Sequence, residues 1–280
     1  MPSMISILRE TFLFSLRFIF FRPVEILKEV LLPVVCGCAA LYLLLSGYCG
    51  QLLDYLGHPN EIVASRVLGI AAAGLLIMLF LHAIVVAAIA GLVLDKKHAQ
   101  PSFLGIRAAA WSIYTANLRL LLALCVGGLA FWLSTIALKR IWLLPDSGII
   151  QFLLLAAVFC ISVRAWFFVA PSCLIDKDGS PLTAAWRRSA GHFSIIAITM
   201  FVIFIGSIAF QAIGEALLRI TGILAPFSHP ETFAQAVMLY RENLFPMVAI
   251  VSLTYLIATV FLTAACMYLY KRLAVVTPPT

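Results

Sequence analysis

Hydrophobic positions in this chain come in six long runs, at about 31–46, 67–94, 118–138, 148–170, 193–217 and 247–270. Polar residues cluster in the gaps between them. A helix rises 1.5 Å per residue, so roughly 20 apolar residues cross a hydrocarbon core. Five runs reach that length, and the first reaches it with about a turn added at each end. A β-barrel would instead need alternating segments of about ten residues, which these are not. The pattern predicts an all-α membrane protein with six transmembrane helices, forming one polytopic domain over residues 1–280.

Shorter amphipathic stretches precede the odd-numbered runs. Ile5, Leu8, Phe12, Leu16 and Ile19 make an apolar stripe at helical spacing, with Arg9 and Arg17 off it. Arg22-Pro23 is expected to end that helix. After the second run comes Leu94-Asp95-Lys96, then Pro101, then Arg107. After the fourth comes Ile175-Asp176-Lys177, then Pro181, then Arg187. In both, an Arg stands six residues past the Pro, at equivalent places in the order of runs, which points to an internal repeat. Ser180 is placed to cap a helix and Pro181 suits its first position. Leu182, Ala185, Trp186 and Phe193 share one face of it. The expected unit is an interfacial helix followed by a hairpin of two spans, three times over. The interfacial pieces fall at 1–22, 101–116 and 181–191. Parallel repeats of this kind differ from the inverted repeats of many transporters.

Composition agrees with the pattern. Of 280 residues, 64% are hydrophobic and 11% charged, against about 25% charged in soluble domains. Lipid must cover the excess apolar surface. The N-terminal region carries Arg9, Glu10, Arg17, Arg22, Glu25, Lys28 and Glu29, which is no cleavable leader. The chain ends soon after the sixth run, and no loop has room for a soluble catalytic domain.

The net charge of +7 is unevenly distributed. On one side of the six-span layout stand 13 Lys and Arg, on the other 5, with Arg164 inside the fourth run. The richer side holds both termini, which the positive-inside rule places in the cytoplasm. That face suits anionic lipid headgroups, each basic residue contributing about 1 kcal/mol near the surface. An acidic protein partner is the alternative. Dispersed basic residues without a recognition module exclude nucleic acid.

The stretch from Arg164 through Pro171, Asp176, Pro181, Trp186-Arg187-Arg188-Ser189 and His192 to Phe193 resembles the membrane domain fused to some glycerophosphodiester phosphodiesterases. It is similar as well to stand-alone six-span bacterial inner-membrane proteins of the YciC type. The resemblance covers about 30 residues closely and the six-span layout loosely. It implies a bacterial inner-membrane protein. The soluble phosphodiesterase domain is absent, so that activity does not carry over.

Candidate chemistry is sparse. No GxSxG, HExxH or Walker motif occurs, and acidic residues do not cluster. No catalytic residue, cofactor or metal site is expected. Seven cysteines without a CxxC pair read as small apolar fillers. Arg164 stands about five residues before the end of its run. It is expected to snorkel toward headgroups, or alternatively to hold an anion or orient Asp176. Arg107, Arg187 and Arg188 are further candidate lipid or anion contacts. His82, mid-way along the second run, is expected to hydrogen-bond a neighbouring helix, since no run has an acid at its centre to form a proton relay. Ala83, Ala87 and Gly91 form a small-residue packing strip, within the chain or in a homo-oligomer. Gln211 and Glu215 face water or a vestibule. Phe233, Val237 and Tyr240 mark a short helix on lipid, the bundle or a partner.

These features favour a non-catalytic scaffold, or a module binding lipids or other membrane proteins. A transporter of a lipid or small amphiphile, and an intramembrane enzyme without a recognised motif, are the alternatives.

Overall fold

The structure is a computed structural model. It describes residues 4–58, 61–94, 108–142, 167–175, 180–221 and 232–276, and isolated positions of 153–165 that include Arg164. Nine helices make up these residues: α1 Met4–Phe21, α2 Pro23–Gly57, α3 Glu61–Val93, α4 Ala108–Trp142, α5 Phe167–Ile175, α6 Pro181–Ser189, α7 Phe193–Ile220, α8 Phe233–Glu242 and α9 Leu244–Val276. No strand occurs among them. Five helices, α2, α3, α4, α7 and α9, are long and apolar enough to cross a membrane, so the chain is a multi-pass membrane protein. The run expected at 148–170 falls largely outside the described residues, and α5 takes up its end.

The helices outrun the apolar runs because backbone hydrogen bonds need no interruption where water is scarce. The run at 31–46 lies inside the 35-residue α2, which opens on Pro23 and carries Pro33 within it. A separate interfacial helix ending near 116 is not found. Ala108 to Trp142 is one unbroken helix, with no Pro, and no Gly before Gly127, to stop it. Residues 101–107 are outside the described set.

α9 is the post on which the others pack. Its segment from Val260 to Leu273 packs on several sides, entering clusters with α1, α2 and α3, with α5, α6 and α7, and again with α1 and α7. α7 runs antiparallel to it, with Met200 beside Cys266 and Gly214 beside Thr254. α3 runs parallel to it, His82 meeting Tyr255 and the Val93 carbonyl meeting Lys271. α2 and α3 form an antiparallel hairpin, with Gly37 against Leu81 and Gly74 against Leu44.

α1 packs its apolar stripe from Phe12 onward, and buries most fully the line of residues beside that stripe. Ile7, Thr11, Ser15 and Phe18 are buried, while Ile5 is 73% exposed. Thr11 Oγ1 donates to the Ile7 carbonyl at 2.7 Å and Ser15 Oγ to the Thr11 carbonyl at 2.9 Å. Hydroxyls satisfied by their own helix are small enough to permit close approach. The larger Phe12, Leu16 and Ile19 close over the edges of that contact.

α8 docks on the bundle. Thr232 caps it by accepting from the Gln235 N–H at 3.1 Å, Val237 is buried, and α2 lies alongside. Glu215 pairs with Arg219 at 2.7 Å on the surface, one turn away, and Gln211 is exposed.

The α7–α9 crossing is tight at Gly214, where a Cβ would stand 2.5 Å from Thr254 Cγ2 and 2.9 Å from its Oγ1. Gly214→Ala is therefore expected to destabilise the protein by about 1–3 kcal/mol. Adding Thr254→Ala should restore most of the loss, measured by thermal unfolding in one detergent.

Candidate functional site

Two polar constellations stand out, one at the bundle end that holds α1, α6 and the last turns of α9, the other deeper between the long helices.

At the bundle end, Arg164 is committed to α6. Its guanidinium carbon lies 3.6 Å from the centre of the Trp186 ring. Nε donates to Ser189 Oγ at 3.5 Å and Nη2 to the Trp186 carbonyl at 3.4 Å. Ser189 Oγ in turn donates to that carbonyl at 2.9 Å. This cation–π and hydrogen-bond clasp ties the segment before α5 to α6. Trp186 is 42% exposed as a result. The buried face of α6 is Ala184, Ala185 and Ser189, which corrects the expected grouping of Trp186 with Leu182 and Ala185. Ser180 takes the N-cap place with Pro181 after it, yet its side chain makes no cap bond. Instead, Ser172 Oγ donates to the Pro181 carbonyl at 2.8 Å. Gly191, at φ +78°, makes the turn into α7. Arg187 is exposed and Arg188 half-buried. Arg107 and Asp176 lie outside the described residues.

Beside this clasp, Glu10 joins α1 to α9. Ser6 Oγ donates to its Oε1 at 2.9 Å, Tyr268 Oη to its Oε2 at 3.2 Å, and Arg272 Nη2 lies 3.1 Å from the same oxygen. The Ser6 and Tyr268 hydroxyls, aided by Arg272, hold the Glu10 carboxyl below its usual value of 4.5. Glu10 carries no distinctive spacing; only the pairing of the first helix with the last reveals its role.

Deeper in the bundle, His82 Nδ1 lies 2.8 Å from the Tyr255 hydroxyl. The hydroxyl donates when Nδ1 is bare and accepts when Nδ1 carries the proton. His82 thus meets a neighbouring helix, as its position suggests. It also separates two spaces. One is a cleft of about 50 Å³ toward α2, which Tyr255 shares. The other is a cavity of about 310 Å³ among α3, α4, α5, α7 and α9, lined by Asn117, Phe204, Thr263 and Cys266 among others. Asn117 is 4% exposed, and its Oδ1 has no hydrogen-bond partner among the described residues. Such a group costs about 1–3 kcal/mol when left unpaired. An amide one residue before an apolar run reads in sequence as a boundary residue, so Asn117 gives no signal there.

Arg164 is not among the residues lining the His82 cavity. Ala83, Ala87 and Gly91 are buried inside the chain, the two alanines against Ala110 and Ile113 of α4. Among the described residues no three His, Cys, Asp or Glu gather as a metal site. No family model, curated protein or solved structure matches this chain.

The lowered pKa sets a pH dependence. Ionised Glu10 is favoured in the folded state, so its contribution is complete above the unfolded value of 4.5 and lost as pH falls through the lower folded value. Wild type should unfold at a higher temperature than Glu10→Gln at pH 7. The gap should close below pH 4.5, and added salt should narrow it at neutral pH because the ion pair is half-exposed.

Proposed function

We propose that this chain is a non-catalytic, multi-pass protein of the bacterial inner membrane that binds lipids or other membrane proteins as a scaffold or interaction module. The observation that carries this reading is the surface of α1 and its neighbours. Arg9 and Arg17 of α1, Arg187 of α6 and Arg272 of α9 are exposed there. On α1 itself Ile5 and the 80% exposed Phe21 are exposed as well. Cationic and large apolar side chains exposed side by side match the boundary between headgroups and acyl chains, where both find partners. The resemblance of 164–193 to a bacterial membrane family points the same way.

The proposed topology has six spans and both termini in the cytoplasm. Its support is a parity argument. Glu10 and Arg272 pair, so α1 and the end of α9 share a side. α7 and α9 are antiparallel while α3 and α9 are parallel, so α7 begins on the side where α3 ends and α4 begins. In this topology α4 and α7 begin on the same side, which supports the further crossing between them that the apolar run at 148–170 suggests. The 13 to 5 asymmetry of Lys and Arg then assigns the shared side to the cytoplasm.

Two measurements test this. Reporter fusions should report both ends inside the cell; either end outside overturns the topology. In native mass spectrometry from mild detergent the protein should retain anionic phospholipid or a membrane partner. Retained lipid should fall when Arg17 and Arg187 are both changed to Ala. A stripped monomer with neither lipid nor partner, equally stable in neutral and anionic bilayers, overturns the function.

A further inference from the structure

We infer that the cavity beside His82 is a binding site for a neutral, single-chain amphiphile whose head donates a hydrogen bond, an alcohol in its simplest form. The inference is independent of the scaffold reading, which rests on the bundle surface.

Four properties of the cavity select this class. First, its size: about 310 Å³ is the low end of small-molecule pockets. It equals roughly ten waters at about 30 Å³ each. One short chain fits, whereas a two-chain phospholipid does not.

Second, its charge: none of the described lining residues is Asp, Glu, Lys or Arg. A charged head there would lie in low dielectric without a counter-ion, which costs several kcal/mol. The occupant is therefore neutral.

Third, its polarity is confined to a few groups. Asn117 Oδ1 is buried and unpartnered among the described residues, and it accepts only from a donor. His82 stands in the same wall with Nδ1 engaged by Tyr255, which leaves Nε2 for any further partner. Thr263 adds a hydroxyl. The remaining wall includes Ile113, Phe204 and Leu262. Water needs two to four polar partners per molecule, so a filling of water alone leaves most molecules facing apolar side chains. A hydroxyl at Asn117 with a hydrocarbon body against the apolar wall satisfies both.

Fourth, its access: Phe204 lines the cavity and is itself 51% exposed on α7. In a bilayer that face meets acyl chains, so an amphiphile enters sideways from the lipid and keeps its tail in an apolar medium throughout.

The test uses the full chain in nanodiscs and an octanol carrying a diazirine as photolabel. Labelling should saturate and map to peptides holding Ile113, Phe204 or Leu262. It should be competed by 1-octanol or 1-monooctanoylglycerol but not by octane. The more potent competitor distinguishes a simple alcohol from a glycerol head. Asn117→Leu removes the unpartnered amide oxygen and should weaken labelling about tenfold, the worth of one hydrogen bond, without lowering the unfolding temperature. Ala170→Leu, which narrows the cavity from α5, should weaken it independently and decides the matter if the first variant does not fold. Labelling that rises without saturation, that octane competes equally, or that survives both substitutions in folded protein overturns the inference.

Discussion

Everything in this molecule leans on the burial of the last turns of α9 on nearly every side. Phe261, Ala264, Ala265, Met267, Leu269 and Tyr270 are sealed from the surroundings along three turns. Within a bilayer, acyl chains are as apolar as Leu, so helices gain little from simply hiding hydrocarbon. What holds them is close contact and the pairing of the few polar groups they carry. α9 supplies both. Its small residues admit neighbours, Phe261 and Tyr270 meet Phe12, Phe210 and Phe168 edge-on, and Tyr255, Tyr268, Lys271 and Arg272 each reach another helix.

The polar contacts divide by depth. At the bundle end they are ionic or cation–π, as with Glu10–Arg272 and Arg164–Trp186, where nearby water lowers the cost of charge. Deeper, they are neutral: His82 to Tyr255, and the Ser207 and Thr254 hydroxyls returned to carbonyls of their own helix. Asn117 Oδ1 and Thr199 Oγ1 are the exceptions, buried oxygens that no described residue engages, and of the two only Asn117 lines the His82 cavity. Facing a cavity with its oxygen unpaired, Asn117 is the place where something from outside fits. Arg164 illustrates the opposite case. In isolation it invites an anion, but Trp186 and Ser189 already occupy its guanidinium.

The membrane character, the starts and stops at Arg22-Pro23 and Pro181, and the helices at 4–21, 181–189 and 233–242 are all legible in the order of residues. They depend on length, hydropathy and local backbone chemistry, which neighbouring residues settle among themselves. The unbroken run from Ala108 to Trp142 was not legible. A change from mixed to apolar composition near 117 suggests a boundary, but composition does not break a helix; a Pro or an unsatisfied cap does.

Sequence alone determined that the solvent for most of this chain is hydrocarbon, because that follows from summed transfer energies and needs no partner. The tertiary structure decided which face of each helix is inside. On α1 the stripe of Ile5, Leu8, Phe12, Leu16 and Ile19 packs from Phe12 onward, while Ile5 is exposed and the most buried line is Ile7, Thr11, Ser15 and Phe18. Between lipid and protein, apolarity does not discriminate, and fit against the neighbouring helices does. The same reason hid the cavity. His82 and Asn117 belong to different helices 35 positions apart, and only the crossing of those helices brings them to one wall.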